Sequence, residues 1–187
     1  MKQLVTSRNG YTLVEMLVTL VIMGIAAALL VPSLGAFGAI ETQAAVRRLV
    51  SDIAFAQSEA VAHQRYLRVQ FHEDGSGWSL VRVDSAGFFD PFDATEADYV
   101  ADPAGVQRGG GDFIVDLVQD DRFASVSVES VATAEGMTSL TFDALGGVVS
   151  APGTAAGAAT VVLAGDDSRW EVAVAPVTGR SSVRKLN

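Results

Sequence analysis

The chain has 187 residues and no cysteine, so it has room for one globular domain beside a separate apolar segment and cannot form a disulfide or a cysteine-based metal site. A formal charge of −9 disfavours nonspecific nucleic-acid binding, which needs Lys and Arg against phosphate. Its two histidines, His63 and His72, are too few and too far apart in pattern for a standard zinc site.

Residues 1–10 carry Lys2 and Arg8 and end in Gly10. Gly10-Tyr11-Thr12-Leu13-Val14-Glu15 follows, and no charged residue stands between Glu15 and Glu41. This stretch is long enough to cross a bilayer core as a helix, which takes about 20 apolar residues. A carboxylate at its head is disfavoured in lipid by roughly 2.5–3.5 kcal/mol, so it needs a partner or a role. The next basic residue is Arg47, and the positive-inside rule therefore keeps the N-terminus cytoplasmic and sends the rest outward. The alternative is an ordinary secretory signal, cut among the small residues 33–39. Glu15 argues against it, because an acid inside the apolar region weakens such a signal.

The Gly10-Tyr11 junction, Thr12-Leu13-Val14-Glu15 and the long apolar run together resemble the cleavage and methylation motif of type IV prepilins and type II secretion pseudopilins. The resemblance implies that a prepilin peptidase cuts between Gly10 and Tyr11 and methylates the new amine of Tyr11. The family usually has Phe there. It also implies a role in assembly for Glu15, and for Pro32 a place in a stretch that loosens when the subunit leaves lipid for a filament. A tolerated kink in a membrane helix is the plainer reading of Gly24 and Pro32. Loss of Lys2 and Arg8 with the leader takes the side-chain charge from −9 to −11. Many type IV pilins close their C-terminal region with a disulfide; the absence of cysteine moves this chain toward the pseudopilins.

From Glu41 to Arg65 the pattern becomes amphipathic. Val46, Leu49, Val50, Ile53, Ala54 and Val61 recur at helical spacing, with Arg47, Arg48, Asp52, Gln57 and Glu59 on the other face. Abundant alanine favours helix. One helix from about residue 12 to 64, kinked at Pro32, is the expectation: residues 11–40 as membrane or filament core, residues 41–65 as a half that lies on a sheet. Tyr66–Phe71 and Trp78–Asp84 then alternate around the turn Glu73–Gly77, which reads as a hairpin.

Residues 85–112 form an acidic excursion rich in Asp, Gly and Pro, whose Phe88, Phe89, Phe92 and Tyr99 suggest packing on the domain. Such a long loop is usually functional or disordered. Asp90, Asp93, Glu96, Asp98 and Asp102 lack the Asp-x-Asp-x-Asp-Gly spacing of a calcium loop, so solvated charges rather than a metal are expected. Gly109-Gly110-Gly111 reads as a joint, since no lysine follows as a phosphate loop requires. Further strands are expected at Phe113–Val118, Ala124–Val131, Ser139–Phe142, Ala159–Leu163 and Trp170–Val174.

Ala56–Val61 before the first strand, Phe142-Asp143-Ala144-Leu145-Gly146-Gly147, Val161-Val162-Leu163, Arg169-Trp170-Glu171-Val172 and Thr178-Gly179-Arg180 resemble GspH/FimT-type minor pseudopilins. The implied fold is α+β and pilin-like: a long N-terminal hydrophobic helix packed on a C-terminal antiparallel β domain, residues 66–187, two-sheet or sandwich-like. The implied function is structural: a minor pseudopilin of a type II secretion system, or a type IV pilus minor pilin for adhesion, motility or DNA uptake. The expected partners are prepilin peptidase, other pseudopilins or pilins, an inner-membrane assembly platform, and lipid before assembly. The expected location is the inner membrane, single-pass with the C-terminal domain periplasmic, and then the periplasmic pseudopilus. A third class is an unrelated bitopic protein with a ligand-binding outer domain. No catalytic residues and no cofactor are expected: Gly75-Ser76-Gly77 is a turn and not a nucleophile elbow. Arg180, Arg184 and Lys185 are the basic residues a DNA-uptake pilin would use, but Gly179-Arg180-Ser181-Ser182 lacks the second arginine of that family's basic stretch. A soluble tail is the expectation there.

Overall fold

The computed structural model describes residues 11–34, 36–103 and 111–186. It divides into two compact units with the boundary between Phe37 and Gly38. The helices are α1 (Leu13–Leu34) and α2 (Ala36–His63), and Gly35 between them lies outside the described residues. Pro32 lies inside α1, whose helical backbone continues to Leu34. The leader, Gly10 and most of the glycine joint lie outside the described residues.

The strands of the second unit are β1 (Tyr66–Phe71), β2 (Gly77–Val83), β3 (Asp98–Tyr99), β4 (Ile114–Asp116), β5 (Ser127–Thr133), β6 (Ser139–Phe142), β7 (Val148–Ala151), β8 (Thr154–Ala155), β9 (Ala159–Ala164), β10 (Arg169–Val174) and β11 (Ser181–Leu186). Among the described residues they form a seven-stranded sheet, β3-β2-β1-β6-β7-β8 with β4 also on β2, and a four-stranded sheet, β11-β10-β9-β5. Every pairing is antiparallel.

Register explains how the larger sheet meets the core. Leu67, Val69 and Phe71 of β1 stand opposite residues of β2 and β6 that put Trp78, Leu80, Leu140 and Phe142 on the same face. These side chains join Val161, Leu163, Val172 and Val174 of the smaller sheet and Ala45, Val46, Leu49, Ile53, Ala56 and Ala60 of α2 in one apolar cluster. The helical residues recur every three or four positions, so one face of α2 is committed to this core.

The sequence misplaced some residues on α2. Ala54 and Val61 are exposed and not part of the buried stripe. Asp52, expected on the solvent face, is only 4% exposed. Its Oδ2 accepts from Arg48 Nε at 2.9 Å and from Trp78 Nε1 at 3.0 Å. Burial raises its pKa, against the pull of Arg48 and Trp78. Arg48 in turn lies over the Phe113 ring, 5.6 Å from its centroid.

Gln57, also expected to face solvent, ties the two sheets. Its Nε2 donates to Gly146 O and to Thr178 O, each at 2.7 Å. Gly146 belongs to the β6–β7 turn, where Asp143 Oδ1 accepts the Leu145 and Gly147 N–H groups at 2.9 Å. Thr178 precedes Gly179 in the β10–β11 turn. Gly146 and Gly179 have φ of 83° and 61°. A Cβ on Gly179 would fall 2.5 Å from Gln57 Nε2 and 2.8 Å from Gly146 O, so glycine is needed for both conformation and space. This accounts physically for Gly146 and Gly179 in the two C-terminal motifs.

α2 ends with Gln64 at φ 53° and a bond from Arg65 N–H to Ala60 O at 3.1 Å, which is a Schellman closure. The acidic excursion does pack down, though unevenly. Phe88 and Val100 are buried, Phe92 and Tyr99 are half-buried, and Phe89 is exposed. Within it Asp98 and Tyr99 pair with β2 as β3. The C-terminal tail is not a free tail: residues 181–186 pair along their whole length with β10.

Candidate assembly interface

Thr12 starts α1 as its N-cap. Its hydroxyl accepts the Glu15 N–H at 3.2 Å and its carbonyl accepts the Met16 N–H at 3.2 Å. Thr12-Leu13-Val14-Glu15 therefore supplies one limb of a capping box, with the acid in the first turn, where the helix dipole favours negative charge. The Thr-x-x-Glu spacing is the sequence signal for this cap. Glu15 and Tyr11 are both exposed, and they sit at the same end of α1.

Every described side chain from Tyr11 to Ala28 is exposed. Leu13 is 81% exposed, Leu20 69% and Met23 69%. Hydrophobic residues surround this helix on all sides, which is the composition of a helix meant for lipid or for a protein core. The Thr19 hydroxyl is satisfied within the helix by Met16 O at 2.8 Å. A Cβ on Gly24 would meet nothing within 4 Å among the described residues. Among the described residues no helix is long and apolar enough to cross a membrane. Side chains of α1 are described as far as Ala28, and the membrane reading rests on the uncharged sequence from Met16 to Ile40.

The second candidate surface is the outer face of α2. Ser51, Ala54, Ser58 and Ala62 are exposed along it. Small side chains at three- and four-residue intervals let another helix come close.

The remaining candidates do not gather into a site. Arg180 lies in the β10–β11 turn, and Arg184 and Lys185 are on β11. Arg184 Nη2 is held by Glu171 Oε1 at 3.0 Å, so part of the basic charge is already neutralised. His63 Nδ1 faces Glu59 Oε1 at 3.1 Å at the end of α2. His72 Nδ1 and Nε2 contact Ser76 Oγ at 3.1 Å and Ser79 Oγ at 2.8 Å, respectively. Among the described residues no three acids or histidines come together closely enough to hold a metal ion.

The family described as type II transport protein GspH matches residues 45–178, and the prokaryotic N-terminal methylation motif matches residues 6–31. Among solved structures, the type IV minor pilin FimU of Pseudomonas aeruginosa is similar in two crystal forms. One shares 19% identity at a TM-score of 0.43, covering 79% of this chain and 89% of that one. The other shares 20% identity at a TM-score of 0.43, covering 76% and 91%. No curated protein matches.

Proposed function

The chain belongs to the GspH family of type II transport proteins, and on that premise we propose that it is a minor pseudopilin, a structural subunit of a type II secretion pseudopilus that supports protein export. The observation that carries this reading is α1: apolar on every side, exposed from Tyr11 to Ala28, and headed by a capped acid. Such a surface has to be covered, first by lipid and then by other helices.

In this reading prepilin peptidase removes residues 1–10 at the inner membrane and methylates Tyr11. The helix stays in lipid until an assembly platform moves the subunit into the fibre. There helix contact replaces lipid contact at nearly unchanged apolar burial. Glu15 enters a dry core, where a charge persists only when paired. Its partner is the methylated amine of Tyr11 on a neighbouring pilin or pseudopilin. Gly24 and the small residues on the outer face of α2 give neighbouring helices room, and Pro32 lies in the stretch that adjusts. A type IV pilus would use the same helix chemistry; neighbouring genes for a secretin and a secretion ATPase, rather than for pilus retraction, separate the two.

Mass spectrometry of the native protein tests the processing step. The expected mature chain begins at Tyr11 and carries one added methyl, and Gly10→Val keeps the leader. A chain beginning near residue 37 would overturn the reading in favour of an ordinary secretory signal.

A further inference from the structure

The face of the larger sheet turned away from α2 is polar. Arg68 and Gln70 of β1 stand opposite Val81 and Ser79 of β2, and both are at least nine-tenths buried, at 9% and 8% exposed. The acidic excursion covers this face through Phe88. It leaves an open cleft of about 960 Å³ against residues 136–139, which is within the size range of small-molecule sites.

Two polar atoms on the cleft floor have no partner. Arg68 Nε donates to Thr141 Oγ1 at 3.2 Å, and Nη2 donates to Phe88 O. Gln70 Nε2 donates to Phe71 O at 3.1 Å. Among the described residues Arg68 Nη1 and Gln70 Oε1 make no hydrogen bond, and neither atom is sealed from solvent. Arg68 also has no carboxylate within ion-pair distance among the described residues, and burial lowers its pKa. Both atoms are open to the cleft and can be met by a ligand as well as by water.

At the cleft mouth Phe89 is 72% exposed. It packs T-shaped with Phe88, ring centroids 5.2 Å apart. The exposed Phe89 ring thus lines the same cleft as Arg68 and Gln70.

We propose that this cleft binds a neutral carbohydrate chain. A sugar hydroxyl is donor and acceptor at once, so a diol answers both Arg68 Nη1 and Gln70 Oε1. The C–H face of a pyranose ring, slightly positive, stacks on the negative π-face of Phe89. Glu73, Asp74 and Asp90 line the same cleft, outnumber Arg68 and repel an anionic ligand. No residue lining this cleft belongs to α1 or α2.

The test is calorimetric titration of the full chain in phosphatidylcholine nanodiscs with cellohexaose, chitohexaose and maltohexaose. At least one should bind saturably. Phe89→Ala, which removes an exposed ring and leaves the core intact, should weaken binding by about tenfold or more. Gln70→Leu should weaken it too, while Val177→Ala, at an exposed turn elsewhere, should not. Failure of all three glycans to bind the wild type overturns the proposal, as does unchanged affinity in Phe89→Ala. If Phe89→Ala lowers fibre incorporation without any glycan binding, the cleft is a subunit contact and the proposal is likewise overturned.

Discussion

At Gln57 one amide nitrogen serves two turns that belong to different sheets. Gln57→Ala removes both bonds and leaves the Gly146 and Thr178 carbonyls to water or to nothing. A loss of roughly 1–3 kcal/mol is expected, read as a lower denaturant midpoint with an unchanged slope. His72 sets a pH dependence of a different kind. Burial lowers its pKa, while Asp74 and Asp116 act to raise it. The unfolded chain therefore holds the imidazole proton more tightly than the folded one. Stability is fully present above the ordinary histidine value near 6.5 and is lost as pH falls through the lowered folded value. The thermal midpoint should drop between about pH 7.5 and about pH 5.5, and His72→Gln should flatten that drop. Hydrogen bonds lower the pKa values of Asp74 and Asp93, so their contribution is present above the ordinary carboxylate value and is lost as pH falls through the lowered folded values, on the acid side of the histidine window.

At the scale of elements, α2 has two faces with different duties. Leu49 and Ile53 are fully buried, so truncating either to Ala should cost about 2–5 kcal/mol. Ala54 is exposed, so Ala54→Leu should leave the thermal midpoint unchanged and still lower recovery of the subunit in sheared fibres, if another helix packs there. The buried stripe was legible because it repeats at helical spacing. The β1–β2 hairpin, β6, β9 and β10 were legible because each is a short apolar or alternating run between turns. β3 and β8 were not, since each is two residues long and exists only because a neighbouring strand edge accepts it. β7 hid between glycines, and β11 hid because its exposed Ser-Ser-Val-Arg-Lys-Leu shows no buried alternation. β5 was expected three residues early; a register shift between Val128 and Ser130 is the kind of local irregularity that composition does not report. Asp52 and Gln57 were misread for one reason: polar residues on a helix were assigned to solvent, and their partners, Trp78 and two turn carbonyls, are distant in sequence.

For the whole molecule the question is how an acid can stand at the head of an apolar helix. Thr12 and the helix dipole offer a local reason, since Glu15 lies in the first turn of a capped helix. If capping were its whole purpose, Glu15→Gln should serve nearly as well, because Gln is also accepted at that position of a capping box. If its charge must meet the amine of a neighbouring Tyr11 in a dry core, Gln should fail almost as badly as Leu, because the amine would be left buried and unpaired. Both variants should remain membrane-inserted and be cut after Gly10, since an uncharged residue makes the helix no less apolar. Immunoblotting of membranes and sheared fibres separates the cases. The expected result is full membrane recovery with incorporation of both Glu15→Leu and Glu15→Gln cut to about a tenth or less, which corresponds to about 1.4 kcal/mol of lost assembly free energy. Normal incorporation of Glu15→Gln would reduce Glu15 to a helix cap and remove charge pairing from the account of assembly.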